Sequence, residues 1–372
     1  MNQRENRGKE IAEKQNQISR IDDTHYQVNS QSRNKQHDII HTELGWDCSC
    51  EDHTFRKICC KHIHAVELSL RLRENVKDDI IISEVKIDSC KKCQSKNIKK
   101  AGIRKNKSGN IQLFKCKDCN VKFSINLGFE GMRATPDQIT MAMNLYFNGE
   151  SSRKVSQSLI LTGVKVSHIT IQKWNKKYVE LMDNYLEKIT PQVGESWGTD
   201  ELYLKIKGDR KYLFAMLDSE TRFWLAQMVS EHKGNDDVSP MFEEAKKIAD
   251  KVPTILISDG AMNFHHAWKK QYRQKNFLHK ETEHHRHIHL SGDMNNNQME
   301  SFNTNTLRMR EKVFRGIKKD DSTIFKGMQI HHNFIRPHQG LEGDTPADRA
   351  GIRIMGDNKW KTIIQNASLS NV

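Results

Sequence analysis

Two pairs of cysteines and three carboxylates are the residues in this chain whose types and spacing could do chemistry. Cys90-x2-Cys93 and Cys116-x2-Cys119 are separated by 22 residues. Two such knuckles let four thiolates meet one Zn²⁺ tetrahedrally at about 2.3 Å each, and four thiolates leave no open coordination position, so the predicted role is structural. The spacer suits two or three short strands. Its Lys96, Lys99, Lys100, Arg104, Lys105 and Lys107 read either as a basic surface presented to phosphates or as a solvated face. The carboxylates come later. WGTDELYLKIKG places Asp200 at the start of a strand, and PTILISDG places Asp259 at the end of another. NNNQMESFNTNTLRMREKVFRG places Glu300 in a helix that turns basic at Arg308, Arg310, Lys312 and Arg315. Brought together, three carboxylates could hold two Mg²⁺ about 4 Å apart and support an in-line phosphoryl transfer. Singly, an acidic residue at a strand end is an ordinary turn residue and a helix Glu is an ordinary solvated one, so spacing alone leaves the choice open.

The elements that would position these groups follow from composition and period. A length of 372 residues predicts two to three domains. No apolar run approaches the ~18 residues of a membrane helix, and the first residues, MNQRENRGKEIAEKQNQ, lack the apolar core of a secretory signal. Sixty Lys+Arg against 47 Asp+Glu leave a net charge of +13. Residues 86–125 hold twelve Lys/Arg and two Asp/Glu, or +10 in forty residues, so the basic character is local. That favours a polyanionic partner, nucleic acid ahead of a membrane surface. Eight cysteines without an export signal predict a reducing compartment, the cytoplasm.

Residues 1–35, rich in Asn, Gln, Lys, Arg and Glu, read as a disordered or loosely helical tail. Residues 36–75 hold the first Cys/His group and 85–127 the cysteine pairs with short strands. Residues 130–190 read as a helix-turn-helix: TPDQITMAMNLYFNG opens on a Thr-Pro cap, a second helix spans about 151–161, and a third about 167–180. The third would offer Gln172, Lys173, Asn175 and Lys176 to a DNA groove, with Ile169, Ile171, Trp174 and Tyr178 inward. An ordinary helical bundle is the competing reading. Three strand-like runs, a helix and the strand PTILISD follow within 191–352, and 353–372 reads as a C-terminal tail.

Two resemblances sharpen this. Cys48-x-Cys50, nine residues, then Cys60-x-His62 resembles the SWIM-type zinc finger, with KHIHAVEL as its closing helix. The resemblance implies a second structural zinc on Cys48, Cys50, Cys60 and His62, with Cys59 or His64 as possible substitutes. The stretch from about Trp197 to Ile352 resembles the catalytic domain of DDE transposases of prokaryotic insertion sequences, in the retroviral-integrase superfamily. The matching residues are WGTDELYLKIKG, YLFAMLDSETRFW, ILISDG, NNNQMESFNTNTLRMREKVFRG and HHNFIRPHQGLEGDTPADRAGI.

This implies an α/β, RNase H-like fold: a five-stranded mixed sheet flanked by helices, with the strands of Asp200 and Asp259 adjacent and the Glu300 helix over their ends. It implies Mg²⁺-dependent cleavage and transfer of DNA strands at element ends, with Mn²⁺ able to substitute, by a dimer or larger assembly acting on terminal inverted repeats and target DNA. Asp200, Asp259 and Glu300 would be the catalytic ligands, and Lys99, Lys100, Arg104, Lys105, Gln172, Lys173, Lys176, Arg308 and Arg310 would contact DNA. Glu201 is excluded as a substitute for Asp200 by strand alternation. Two departures stand out. The position seven residues after the Glu, often Lys or Arg, is Leu307, and the interval before Glu300 contains a His-rich stretch (His279, His284, His285, His287, His289) that reads either as a third metal site or, preferentially, as a surface loop near the DNA. A catalytically idle DNA-binding regulator and a two-metal nuclease are the alternatives.

Overall fold

The computed structural model describes residues 3–12, 17–21, 24–31, 35–42, 45–74, 79–90, 92–106, 109–124, 127–206, 208–273, 282–286, 297–308 and 323–370. The chain divides into two units, 1–78 and 79–372. Among the described residues no helix is long and apolar enough to cross a membrane.

The first unit is a four-stranded antiparallel sheet with helices. In chain order it comprises α1 (Gln3–Ala12), β1 (Ile18–Arg20), β2 (His25–Asn29), β3 (Gln36–Thr42), β4 (Gly45–Cys48), α2 (Glu51–Arg56) and α3 (Lys61–Glu74). The expected disordered or loosely helical tail over 1–35 does hold a helix, α1, but among its described residues it also supplies two strands of the sheet. Its mean composition is polar, but Ile11, Tyr26 and Val28 fall where a core needs them. Tyr26 and Val28 alternate on β2, and both pack with Ile39, Ile63 and Val66.

The second unit opens with β5 (Ile80–Ile82) and a three-stranded sheet of β6 (Ile98–Asn106), β7 (Gly109–Cys116) and β8 (Lys122–Ser124). Three helices follow: α4 (Pro136–Phe147), α5 (Ser152–Leu161) and α6 (His168–Leu186). Each starts on a hydroxyl N-cap, at Thr135, Ser151 and Ser167. Ile171, Trp174 and Tyr178 are buried as the period requires. Asn175 is buried too, and Ile169 is half exposed, so these two exchange the faces expected of them.

A five-stranded mixed sheet forms the rest of the core, in the order β11-β10-β9-β12-β13, where β9 is Ser196–Ile206, β10 Asp209–Asp218, β11 Trp224–Ser230, β12 Ile255–Ser258 and β13 Glu283–Arg286. β9, β10 and β11 are antiparallel neighbours, whereas β12 runs parallel to both β9 and β13. Helices cover both faces. α7 (Asn235–Ala249) and α8 (Met262–Gln271) pack through Phe242, Phe264 and Tyr272 against Phe214 and Met216. On the other face lie α9 (Asn297–Phe302), continued as a π-helix over Asn303–Arg308, and α10 (Thr323–Ile330), continued as a π-turn over His331–Ile335. Phe302 and His332 pack edge-on to Trp224. The edge strand β11 is not left bare: Asn333 accepts from Trp224 N–H at 2.8 Å, and Gln329 donates to the carbonyls of Trp224 and Leu225.

β13 corrects the surface-loop expectation for the part of the His-rich stretch that is described. His284 is half-buried between Ser258, His265 and Trp268, which holds 283–286 to the sheet. His279, His287 and His289 lie outside the described residues. The expected C-terminal tail is also structured. After α11 (Pro346–Arg349), β14 (Ile352–Ile354) pairs with β5, and α12 (Lys359–Ser370) buries Trp360, Ile363 and Ile364. A window of alternating Trp, Ile and polar residues is short and reads weakly by itself; tertiary packing makes it a helix.

Candidate active site and metal centres

The sheet carries Asp200 and Asp259 to one place. Asp200 sits in β9, and Asp259 follows β12 directly. These two strands pair in parallel, with Ile257 opposite Gly198. The α9 helix packs on β9 from the other side. Asp200, Glu201 and Asp259 each offer a carboxylate oxygen, and these atoms lie within 4.8 Å of one another. Glu300 is not among those three. It is exposed in the first turn of α9, near enough to Asp200 to disfavour its ionisation.

Both Asp200 oxygens are engaged. Oδ1 accepts from the Glu201 N–H at 2.8 Å, and Oδ2 accepts from the Asn303 side-chain amide at 2.7 Å. Burial pushes the Asp200 carboxyl up to about 7 against the pull of the Glu201 N–H, and the charges of Asp259, Glu201 and Glu300 add to the rise. Asp259 is exposed, with Oδ1 accepting from the Ala261 N–H at 3.0 Å. Gly260 follows at φ +91°, a conformation that suits glycine in the turn after the strand.

Glu201 enters this group despite the alternation that excluded it. Its chain is one methylene longer than that of Asp, and Lys233 bonds one of its oxygens while lying 5.0 Å from the ring centres of Tyr203 and Tyr212. The other oxygen, Oε2, is buried with no protein partner. Asp218, by contrast, ends β10 fully buried and accepts from the Thr221 N–H at 2.8 Å, closing the turn that follows.

Asn303 escaped the sequence reading. It is buried at 7% exposure one turn beyond Glu300, and the signal available was its i+3 spacing from that Glu. Because it fixes Asp200, Asn303→Leu is expected to weaken Mn²⁺ binding by about 10–100-fold without unfolding the domain. Titration calorimetry beside a melting curve checks this. Leu307 is buried at 2%, which accounts for an apolar residue where a cation was anticipated. The backbone of Arg308 closes the π-helix, and Arg310 lies outside the described residues.

The cysteine groups assemble as their spacing suggests. Cys90 and Cys119 sulfurs are 3.6 Å apart, as are those of Cys93 and Cys116, close to the edge of about 3.8 Å of a tetrahedron with 2.3 Å Zn–S bonds. Each knuckle turns through a left-handed residue just after its second cysteine, Gln94 and Asn120. Backbone N–H groups of Cys93 and Lys92 lower the Cys90 thiol to about 6, which favours the ligating thiolate. Lys99, Lys100, Arg104 and Lys105 all lie exposed on β6.

In the first unit Cys48, Cys50, Cys60 and His62 are buried with their ligand atoms within 4.8 Å of one another. His62 Nδ1 is 3.9 Å from both Cys48 and Cys60 sulfurs. The His37 ring lies tilted against that of His62 with centroids 4.5 Å apart, a neighbour the sequence reading did not anticipate. Gln172, Lys173 and Lys176 are exposed on α6, and Gln172 reaches back to Ser152 at 3.3 Å.

Comparison with known proteins bears on the second unit. Residues 194–338 match the family model DDE_Tnp_IS240, described as a DDE domain. The chain is 28% identical over 130 residues to the transposase for insertion sequence-like element IS431mec of Staphylococcus aureus, a match covering 33% of this chain and 58% of the relative. It is 31% identical over 151 residues to the insertion element ISM1 uncharacterized 48.3 kDa protein of Methanobrevibacter smithii, covering 35% of each. The chain thus spans less than two thirds of the length of these relatives. The solved HTLV-2 integrase catalytic core domain in complex with magnesium is similar over 44% of this chain and 98% of that one, at 16% identity and a TM-score of 0.31. Residues 194–338 of this chain are therefore similar to a DDE domain, and the chain is similar in part to insertion-sequence transposases.

Proposed function

We propose that this chain is a DDE transposase that cleaves and joins DNA strands at the ends of an insertion sequence. The observation that carries this reading is the meeting of Asp200 and Asp259 on adjacent parallel strands, under a helix bearing Glu300, inside a matched DDE domain. The donor set fits hard divalent cations: carboxylates only, with Glu201 Oε2 buried and unpartnered beside them, and with burial and then the neighbouring carboxylates raising the Asp200 carboxyl, a charge that a cation would offset. Bound Mg²⁺ or Mn²⁺ would supply charge for the phosphoryl transition state and activate water or a 3′-OH. Asp200, Asp259 and Glu300 would hold the ions. Asn303 keeps Asp200 oriented, and the Lys233 contact holds Glu201 back from a primary role.

The two cysteine groups would each hold a structural Zn²⁺, the first in a SWIM-like module. β6 and the exposed face of α6 would grip duplex DNA, with Arg308 and Arg310 as further DNA contacts. A dimer or larger assembly would bring two ends together. The test is end-specific cleavage and joining of DNA carrying the element's flanks, with Glu300→Gln alongside. Loss in the variant supports the reading; binding without cleavage by either protein replaces it with a regulator.

Two further outcomes follow. Ion binding must displace the Asp200 proton, so at pH 7 about half a proton should be released per chain on Mn²⁺ binding, and affinity should rise through pH 6–8. The sign for stability is opposite: a carboxyl raised on folding favours the metal-free fold below pH ~4, and that advantage is lost as pH rises through about 7. Asp200→Asn should therefore melt higher than the metal-free parent at pH 8. Separately, neutralising Lys99, Lys100, Arg104 and Lys105 together should flatten the slope of log K against log salt by up to about 3.6 for DNA binding. A solvated face would leave the slope unchanged.

A further inference from the structure

The tract Cys59-Cys60-Lys61-His62-Ile63-His64, which enters α3 at Lys61, sends its ligand-type side chains to two separate groups. Cys60 and His62 turn inward to Cys48 and Cys50. Cys59 and His64 turn outward and meet Glu67. Glu67 lies one turn beyond His64 on α3, so the two share a face. Cys59 Sγ is 3.7 Å from His64 Nδ1, and His64 Nδ1 is 3.7 Å from Glu67 Oε2. The three ligand atoms all lie within 4.8 Å of one another.

We propose that Cys59, His64 and Glu67 form a further transition-metal site, distinct from the buried group beside it, that takes Zn²⁺ and leaves its fourth position to water. The distances suit it. With Zn–S near 2.3 Å and Zn–N and Zn–O near 2.0–2.2 Å, tetrahedral S···N and N···O edges are about 3.6 and 3.4 Å. One thiolate, one imidazole and one carboxylate make a set of mixed softness that prefers zinc to Mg²⁺ or Ca²⁺.

The frame is stiff where it matters. Two ligands stand on a helix of fourteen residues, and α1 lies so close to the base of His64 that a Cβ at Gly8 would lie 2.7 Å from His64 Cβ. Cys59 is exposed, whereas Cys48, Cys50, Cys60 and His62 are all buried. An ion on Cys59, His64 and Glu67 therefore meets solvent on one side, exchanges readily and keeps an accessible coordination position.

The experiment uses the full chain saturated with zinc, then desalted and assayed for bound metal, with Cys59→Ser and Glu67→Gln treated identically. Both variants should hold one equivalent of zinc fewer than the parent, whatever is bound elsewhere, and should melt and elute as it does. The missing equivalent should be the first that a weak chelator removes from the parent. Cobalt substitution should show one thiolate-to-metal band lost in Cys59→Ser. In Glu67→Gln cobalt affinity at that site should fall at least about tenfold. Equal zinc in the parent and Glu67→Gln overturns the proposal. So does loss of zinc in Cys59→Ser alone, since Cys59 would then be serving the buried group.

Discussion

Asp259→Asn is expected to lower strand cleavage and joining by at least about a thousandfold while leaving DNA affinity within a few fold. An amide keeps the size and the turn, in which Oδ1 accepts the Ala261 N–H, but removes a charge facing Asp200 and Glu201. A metal's charge on the phosphoryl transition state is worth several kcal/mol, and each ~1.4 kcal/mol is tenfold in rate. Glu300→Gln should match it, although Glu300 stands outside the tight group, because its helix already reaches Asp200 through Asn303. Glu201→Gln decides between the two glutamates. Glu201 is tied to Lys233 between two tyrosines, so the amide should keep activity within about tenfold if its role is structural. Activity lost in Glu201→Gln and kept in Glu300→Gln would transfer the third ligand to β9. Single-turnover assays with labelled end DNA read all three.

Cys116→Ser should unfold the segment around 90–124 and abolish its zinc while the rest of the second unit stays folded. The reason is the size of its core. Among the described residues only Cys90, Cys116 and Phe123 are buried there, with Ile87, Ile98, Phe114 and Cys119 partly so. Burying one Phe stabilises by roughly 1.5–3 kcal/mol, whereas a structural zinc contributes on the order of 10–16 kcal/mol at pH 7. The ion, not the side chains, would hold this module together. Limited proteolysis should cut between Lys92 and Lys122 in the variant or after chelation, and not in the zinc-loaded parent. DNA binding should fall with it, because Lys99 to Lys105 would lose the strand that displays them.

What the sequence makes legible differs by the range of the interaction. The cysteine knuckles are read directly because each pair is local and the metal's geometry is fixed. The carboxylates are placed by resemblance, and the strands bearing Asp200 and Asp259 do lie side by side. Contacts made across the fold are invisible in the chain: Asn303 on Asp200, Lys233 on Glu201 and His37 on His62 each join residues that no spacing rule connects. Glu201 still brings an oxygen within 4.8 Å of those of Asp200 and Asp259, because alternation fixes where a Cβ points, not where a long side chain ends. The polar first 35 residues and the short β13 were missed for a related reason. A few well-placed apolar or half-buried residues, such as Tyr26, Val28 and His284, decide the structure while leaving the average composition unchanged.

The pairing of β5 with β14 has a temporal side. Ile80 N–H bonds Gly351 C=O and Met355 N–H bonds Ile82 C=O, so a strand near the front of the second unit is completed by residues near its back. A chain emerging from the ribosome at about 5–20 residues per second must hold Ile80–Ile82 unpaired for roughly 15–50 s across the ~270 intervening residues. The helical block waits as well, since the Trp360 ring lies 5.7 Å from that of Phe147 and belongs to the last helix. Residues 352–370 therefore have to be made before this unit can close. A product ending before Ile352 would keep every carboxylate and cysteine described above, yet leave an apolar strand edge and the side of α4 uncovered.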